Sequence, residues 1–189
     1  MSDPFCDDAD FDLTRLPGYA TRLLVEITAP ARLVAHLRLV HDVAFRLIDA
    51  LSQVWPDLQM DREAVLFGAA MHDVGKALHP DELYQPGAKH EIDGRRLLVA
   101  HGFEDRLARF AETHAIWKHG GDCTLEDLLV GFADTSWKGK RSEMLEDMVC
   151  SGMLTRIAGE RWEVFARLDA IVEKIADRGD QRLAWQSRY

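Results

Sequence analysis

The stretch AAMHDVGK, residues 69–76, ends a run that is apolar or small from Ala64 onward. Such a run predicts a helix that is buried on all sides, yet it ends on a histidine and an aspartate, His72 and Asp73. A buried carboxylate beside an imidazole needs partners, because removing such groups from water without compensation costs free energy. The partners of His72 and Asp73 must therefore come from other segments of the chain.

The chain has 189 residues, of which 47% are hydrophobic and 29% are charged, a composition typical of one globular domain. Its net charge of −9 argues against general nucleic-acid binding and against binding to anionic membranes. Three cysteines, Cys6, Cys123 and Cys150, show no disulfide or metal spacing, which favours a reducing compartment. Since the N-terminus is acidic and no apolar run is long enough for a membrane span, we expect a cytoplasmic protein.

Helical periodicity dominates the chain after the first dozen residues. Thr28, followed by Pro30, predicts the start of a first helix that runs to the break at Pro56. The apolar stripe of this helix consists of Leu33, Leu37, Val40, Ala44, Leu47 and Leu51. Asp61 is placed to cap a second helix, and Thr124 is placed to cap a fifth helix, LEDLLVGFADTSW.

Between these two helices the sequence predicts a third helix from His90 to Ala100, which stops at Gly102, and a fourth that carries RLARFAETHAIW. We predict an all-α, single-domain helical bundle. Residues 1–20 are expected to form an acidic, partly flexible extension, and residues 21–189 the helical domain. Within that domain the motifs lie in 28–145, and 146–189 are expected to form covering helices.

Several histidines occupy positions in these helices from which they could reach a common site. His36 and His41 lie at opposite edges of the first helix's apolar stripe, and periodicity does not choose between them. His90 and His101 share nearly one face of the third helix but lie about 16 Å apart along its axis, so only one of them could bind. His114 lies inside the fourth helix. Each histidine taken alone is more simply read as a structural residue.

One carboxylate of the fifth helix, Asp134, points away from the face that carries Leu125 and Phe132. The flanking residues on its side are apolar, which favours burial, whereas an exposed ion pair with Lys138 is the simpler alternative. Together with the histidines and with His72 and Asp73, this aspartate completes a set of imidazoles and carboxylates without thiolates. Such a set is typical of catalytic iron, manganese or zinc sites.

The order His, His-Asp, Asp, with the pair written HDVGK, resembles the HD superfamily of metal-dependent phosphohydrolases. RLVAHLRLVHDVA (32–44) is similar to that family's first metal-binding helix and selects His36 over His41, and LLVGFADTSWKGKR (128–141) is similar to the segment that supplies the last aspartate, Asp134. The resemblance covers roughly residues 28–145.

Two further segments, KHEIDGRRLL (89–98) and AETHAIW (111–117), are similar to the extra histidine segments of two-metal HD enzymes. These enzymes include the HD-GYP cyclic-dinucleotide phosphodiesterases and the symmetrical dinucleoside-tetraphosphate hydrolases, and the similarity implies roles for His90 and His114. The chain lacks a GYP sequence, has Ala115 where several relatives have a second histidine, and has glycine in HDVGK where the tetraphosphate hydrolases have alanine. The resemblance therefore indicates the family and leaves the subfamily open.

The resemblance implies a site of six metal ligands: His36, His72, Asp73, His90, His114 and Asp134. We expect one ion at His36, His72, Asp73 and Asp134, and a second at His90 and His114 with Asp73 as the bridge, about 3.5–4 Å from the first. In a one-metal variant, His90 and His114 would hold substrate phosphate instead. Iron or manganese is expected, with zinc, nickel, cobalt or magnesium as alternatives.

Phosphate chemistry also needs fixed positive charge near the ions. We assign catalytic roles to Asp73 and Lys76, and substrate binding to Lys76, Lys138, Arg141 and Trp137, with the stronger case for the two lysines. Trp117 is assigned to the core, whereas Trp137 is left open between core packing and stacking on a base.

The expected substrate is a small phosphorylated compound such as a nucleotide, and the C-terminal amphipathic helix could form a homodimer contact. The alternatives are a di-iron HD-type oxygenase and a non-catalytic HD regulatory or binding module.

Overall fold

The computed structural model of the protein describes residues 3–6 and 11–189, and this part contains α-helices and short 3₁₀ segments but no β-strand. The α-helices are α1 (Gly18–Glu26), α2 (Ala31–Val54), α3 (Arg62–Met71), α4 (Lys89–Ala100), α5 (Asp105–Ala108), α6 (Phe110–Thr113), α7 (Leu125–Ser136), α8 (Glu143–Leu154), α9 (Arg161–Ala176) and α10 (Gly179–Gln186). The 3₁₀ segments are Val74–Ala77, Pro80–Leu83 and Ile116–His119. The all-α fold predicted from the sequence is confirmed.

Helix α2 lies at the centre of the fold and packs against α3, α7 and α9. Its predicted apolar stripe is confirmed, since each of the six members is at most 1% exposed. The helix begins directly after Pro30. It does not begin at Thr28, because Thr28 has a left-handed backbone with a φ of 53° that a right-handed helix does not contain.

Both predicted helix caps are present. The Asp61 side chain accepts a hydrogen bond of 2.9 Å from the backbone N–H of Ala64, at the start of α3. Thr124 and Asp127 form a reciprocal capping box at the start of α7, in which each side chain accepts from the other residue's backbone N–H. These caps fix where α3 and α7 begin. They thereby fix the positions along each helix axis of the residues that follow.

The single fourth helix predicted from the sequence is wrong in detail, because the structure divides it into α5, α6 and the 3₁₀ segment Ile116–His119. Arg109, between α5 and α6, keeps right-handed helical backbone angles, so the chain continues in one direction with irregular winding. Arg109 donates a 2.6 Å hydrogen bond to the buried Asp127 carboxylate, which ties this irregular segment to α7. Trp117 is buried in the core, as predicted.

The C-terminal helices cover α2 and α7. Helix α9 packs on α2, α7 and α8, and α10 contacts α2. The buried face of α9 consists of Val164, Leu168, Ile171, Val172 and Ile175. Phe165 lies outside this face and is 37% exposed. Helix α8 begins at Glu143, inside the predicted 28–145 core.

The described part of the N-terminal segment packs against the domain. Phe11 and Leu13 are buried in the core, and the Arg38 side chain donates hydrogen bonds to the carbonyl oxygens of Pro4 and Leu13. The rest of the predicted flexible extension, at residues 1, 2 and 7–10, lies outside the described residues. Within the described ranges, no helix has both the length and the apolar character needed to cross a bilayer.

Candidate metal centre

The six side chains predicted as metal ligands lie together, and most of them come from helix ends. His36 comes from α2, His72 and Asp73 from the residues directly after α3, His90 from the first turn of α4, His114 from the residue after α6, and Asp134 from α7. Four of them, His72, Asp73, His90 and His114, are at most 5% exposed. The cluster is therefore enclosed by the helices that carry it.

His36, His72 and Asp134 form the first of two groups. Oδ1 of Asp134 lies 3.4 Å from Nε2 of His36 and 3.5 Å from Nε2 of His72, and the two Nε2 atoms are 3.3 Å apart. One ligand atom from each of the three residues lies within 4.8 Å of the others. This spacing allows the three residues to share one cation.

Asp73, His90 and His114 form the second group, which satisfies the same 4.8 Å criterion and is buried throughout. Oδ1 of Asp73 lies 3.1 Å from Nε2 of His90 and 3.7 Å from Nε2 of His114. The other carboxylate oxygen of Asp73, Oδ2, lies 3.1 Å from Nε2 of His36. Asp73 thus presents one oxygen to each group and connects them.

His72 and Asp73 can face the same site because α3 ends at Met71. His72 keeps helical backbone angles, whereas Asp73 has a φ of −101° and a ψ of 9° and starts the 3₁₀ segment. Gly75 then lies directly against α4, where a Cβ atom would be 2.1 Å from the carbonyl oxygen of His90. Only a glycine allows this approach, which brings the second group together.

The hydrogen bonds of the buried histidines leave their Nε2 atoms facing the cluster. Nδ1 of His72 and Nδ1 of His114 each lie 3.2 Å from the carbonyl oxygen three residues earlier, and Nδ1 of His90 lies 2.6 Å from Oε2 of Glu82. These oxygens only accept hydrogen bonds, so the ring proton belongs on Nδ1. Outer partners of this kind typically orient the histidine ligands of a metal ion.

Two buried atoms at the centre of the cluster, Oδ1 of Asp73 and Nε2 of His90, have no hydrogen-bond partner among the described residues. A buried acceptor without a partner is costly, and a cation between these atoms would satisfy both of them. The donor set contains only imidazole nitrogens and carboxylate oxygens, which suits divalent transition metals. The residues present therefore fit a divalent metal ion.

The electrostatics of the cluster also favour a cation. Burial opposes ionisation of Asp73, but the neighbouring His72 charge and a hydrogen bond with His36 hold its pKa well below the usual value. The pKa of Asp134 is lowered in the same way, against its burial, by its hydrogen bonds with His36 and His72. Burial and the His72 charge lower the pKa of His114 to about 4. At neutral pH the cluster thus combines two carboxylates with a neutral His114, whereas at His36 burial is outweighed by hydrogen bonds to Asp134 and Asp73, which raise its pKa to about 9.

The predicted substrate-binding residues do not all reach this cluster. Nζ of Lys76 lies 2.6 Å from Oδ2 of Asp73. Trp137 is 5% exposed and packs edge-on against the His36 ring, with 5.5 Å between the ring centroids. Lys138 is exposed, and its Nζ lies 5.8 Å from the centroid of the Trp137 ring.

Arg141 lies away from the cluster. It is paired with Glu146 at 2.6 Å and with Asp169 at 2.5 Å, which ties the start of α8 to α9. Because these two carboxylates already hold its guanidinium, no contact with the cluster supports the predicted substrate-binding role of Arg141, which stays a prediction. His41, the alternative to His36, is buried elsewhere in α2, and His101 is exposed at the end of α4.

The sequence did not identify three residues at or beside the cluster. Glu82 binds His90, as described above. Arg32 and Gln186 line a cavity of about 160 Å³ together with His36, Asp73, Lys76 and Trp137. Arg32 lies four residues before His36 on α2, a helical spacing that could have signalled it. Glu82 lies in the short 3₁₀ segment Pro80–Leu83 and Gln186 is near the C-terminus, where no sequence pattern points to the cluster.

The HD domain family model matches residues 33–136, which is more than half of the chain and includes all six clustered residues. The chain therefore belongs to the HD domain family, a superfamily of the metal-dependent hydrolase type whose members are generally phosphohydrolases. No curated protein and no solved structure matches the chain.

Proposed function

We propose that the protein is a metal-dependent phosphohydrolase that cleaves a phosphoester or phosphoanhydride bond in a nucleotide or a related small phosphorylated metabolite. The observation that carries this proposal is the position of Asp73, whose two oxygens face two separate groups of imidazoles. That arrangement is typical of sites for paired cations, which in enzymes act mostly on phosphate esters and related bonds.

His36, His72, Asp73 and Asp134 would hold one divalent ion, and His90 and His114 with Asp73 would hold a second. Such ions supply a water nucleophile at neutral pH and neutralise the charge of the phosphoryl oxygens. Iron or manganese remains the expected metal, because the ligand set contains imidazoles and carboxylates and lacks thiolates.

Three further side chains beside the cluster would favour binding of an anionic substrate. Lys76 holds Oδ2 of Asp73 at 2.6 Å, which fixes the carboxylate between the two groups, and its charge also faces the cavity. Trp137 lines the cavity beside His36, where its ring would shield one side of a bound substrate from bulk water. Lys138, at the outer edge of Trp137, would attract phosphate toward the opening.

Metal analysis and a phosphate-release screen test this function. The purified full-length protein, loaded with Mn²⁺ or Fe²⁺, is expected to retain stoichiometric metal and to release phosphate from at least one ester or anhydride. His72→Ala should lose both properties, because it removes a ligand from the first group. The control is His101→Ala, which changes an exposed histidine outside the cluster.

Other results would point to one of the alternatives. Oxygen consumption with bound iron, without phosphate release, would replace the hydrolase by a di-iron oxygenase. If the protein retains no metal and His72→Ala changes nothing measurable, a non-catalytic binding module is the better conclusion. The cytoplasmic location and the homodimer stay predictions from the sequence.

A further inference from the structure

A small cavity lies directly beside the metal centre. It has a volume of about 160 Å³ and is lined by Arg32 and Gln186 in addition to five residues of the centre and its surroundings. Sites for drug-sized ligands are typically about 300–1,000 Å³. The enclosed space beside the cluster is thus small, so the part of a ligand that reaches His36 and Asp73 must be small as well.

Arg32 is the cation in this cavity that is not already neutralised. Within residues 3–6 and 11–189 it has no carboxylate within ion-pair distance, and its guanidinium instead lies 5.5 Å from the centroid of the Tyr84 ring. The other cation, Lys76, is bound to Asp73. A guanidinium stacked on an aromatic ring keeps its N–H groups at its edge, where they can bind an oxyanion in pairs.

The position of Arg32 follows from its helix. It lies four residues before His36 on α2, so the two side chains emerge on the same face of the helix, one turn apart. An anion held by Arg32 would therefore lie next to the first ion group. From this position Arg32 could bind a phosphoryl group that also contacts the metal centre.

Gln186 lines the cavity from the C-terminal side. It is the last residue of α10, and in the described part of the chain its side-chain amide makes no hydrogen bond. Because the amide atoms are not fully buried, they are accessible to a polar ligand atom in the cavity. The amide can donate to one ligand oxygen and accept from a hydroxyl.

We infer that Arg32 binds the phosphoryl group of the substrate, that Gln186 binds a polar atom of the leaving group, and that the substrate is a phosphomonoester of a short hydroxylated compound rather than of a nucleoside. This inference rests on the proposed function and narrows its substrate class. It replaces Arg141 by Arg32 as the arginine of the substrate site, since Arg141 is held by Glu146 and Asp169.

Phosphate binding tests the role of Arg32 without requiring turnover. Calorimetry with inorganic phosphate and the metal-loaded full-length protein should show at least tenfold weaker binding for Arg32→Gln and a smaller loss for Arg32→Lys. Arg96→Gln is the matched control, because Arg96 is an exposed arginine paired with Asp93 on α4. Metal content should be the same in all variants. Equal phosphate affinity in wild type and Arg32→Gln would overturn the assignment.

A series of esters tests the size limit and Gln186. Glycolate phosphate, glycerol phosphate and a nucleoside monophosphate are compared by kcat/KM, and the wild type should prefer the two short esters. Gln186→Ala should reduce this preference, because it widens the cavity and removes the amide. A preference of the wild type for the nucleoside monophosphate would overturn the size inference. If no ester is cleaved, the proposed function fails instead, while the phosphate-binding result still decides the role of Arg32.

Discussion

Oε2 of Glu82 lies 2.6 Å from Nδ1 of His90, and the same carboxylate accepts hydrogen bonds from the backbone N–H groups of Lys89 and His90. Glu82 thus caps the start of α4 and orients the imidazole at the same time. Partial burial of Glu82 opposes its ionisation, but these hydrogen bonds lower its pKa below the usual value. The carboxylate therefore stays charged and holds the His90 proton on Nδ1.

Glu82→Gln is expected to weaken metal binding at the second group by about 10–100-fold, because outer-shell partners of histidine ligands typically contribute that much. The first group should keep its affinity. Metal titration followed by elemental analysis measures both. Asp81→Asn is the matched control, since Asp81 is exposed in the same 3₁₀ segment and its side chain makes no hydrogen bond in the described part of the chain. Equal affinities in Glu82→Gln and wild type would contradict the positioning role.

Metal stoichiometry should separate the two groups. His114→Ala is expected to reduce the retained metal from two ions to one, because it removes a ligand from the second group only. Asp73→Ala should lose both ions, since its two oxygens serve both groups. Elemental analysis of the purified variants gives the counts, with His119→Ala, an exposed histidine near His114, as the control. One retained ion in the wild type would favour the one-metal variant.

Gly75→Ala should be strongly destabilising. The added Cβ atom would lie 2.1 Å from the carbonyl oxygen of His90 and 2.7 Å from the backbone nitrogen of Gly94, so α4 must shift. Overpacking typically costs about 1–3 kcal/mol, and a clash with backbone should reach at least the upper end of this range. Urea unfolding measures the loss. Gly18→Ala, where the nearest atom is a flexible side-chain end 3.4 Å away, should change stability little.

The stability of the protein should depend on pH through His41. Burial lowers the pKa of His41 to about 4, against a value of 6.5 in the unfolded chain, and the Asp42 charge opposes this only in part. Between pH 6.5 and 4 the unfolded state therefore binds a proton that the folded state does not. The contribution is complete above about pH 6.5 and is lost as the pH falls, by about 2 kcal/mol between pH 7 and pH 5.

Urea unfolding of wild type and His41→Leu at pH 7 and pH 5 checks this contribution. The variant removes the titrating group, so its stability should fall less between the two pH values than that of the wild type. Other groups titrate in both proteins and cancel in the comparison. The same pH dependence in both proteins would show that His41 is protonated as easily in the folded state as in the unfolded state.

Much of the fold could be predicted because its signals are local. The α2 stripe and the caps at Asp61 and Thr124 depend on residues within a few positions of one another, where helical geometry fixes which side chains meet. The break of the fourth helix at Arg109 was missed, because that residue's ion pair with Asp127 on α7 comes from a distant part of the chain.

Part of the candidate site could be predicted from the sequence and part could not. The order and spacing of its histidines and aspartates were predicted, and the family model covers all six residues. The assignment of Arg141 to the substrate stays a prediction, and the sequence did not show that the packing of α8 and α9 brings Glu146 and Asp169 to its guanidinium. Arg32 and Gln186 were missed because they belong to the site only through a cavity that several helices form together.

By itself, the sequence determined that this protein is an all-α member of the HD domain family with four imidazoles and two carboxylates in a fixed order. Helical periodicity and capping depend on residues close together in the chain, and the ligand set follows from residue types in a recognisable order, so both can be predicted without coordinates. Only the tertiary structure decided which Asp73 oxygen faces which group, that Glu82 orients His90, and that Gln186 lines the cavity. Those relations depend on angles and distances between segments, which arise when the helices pack.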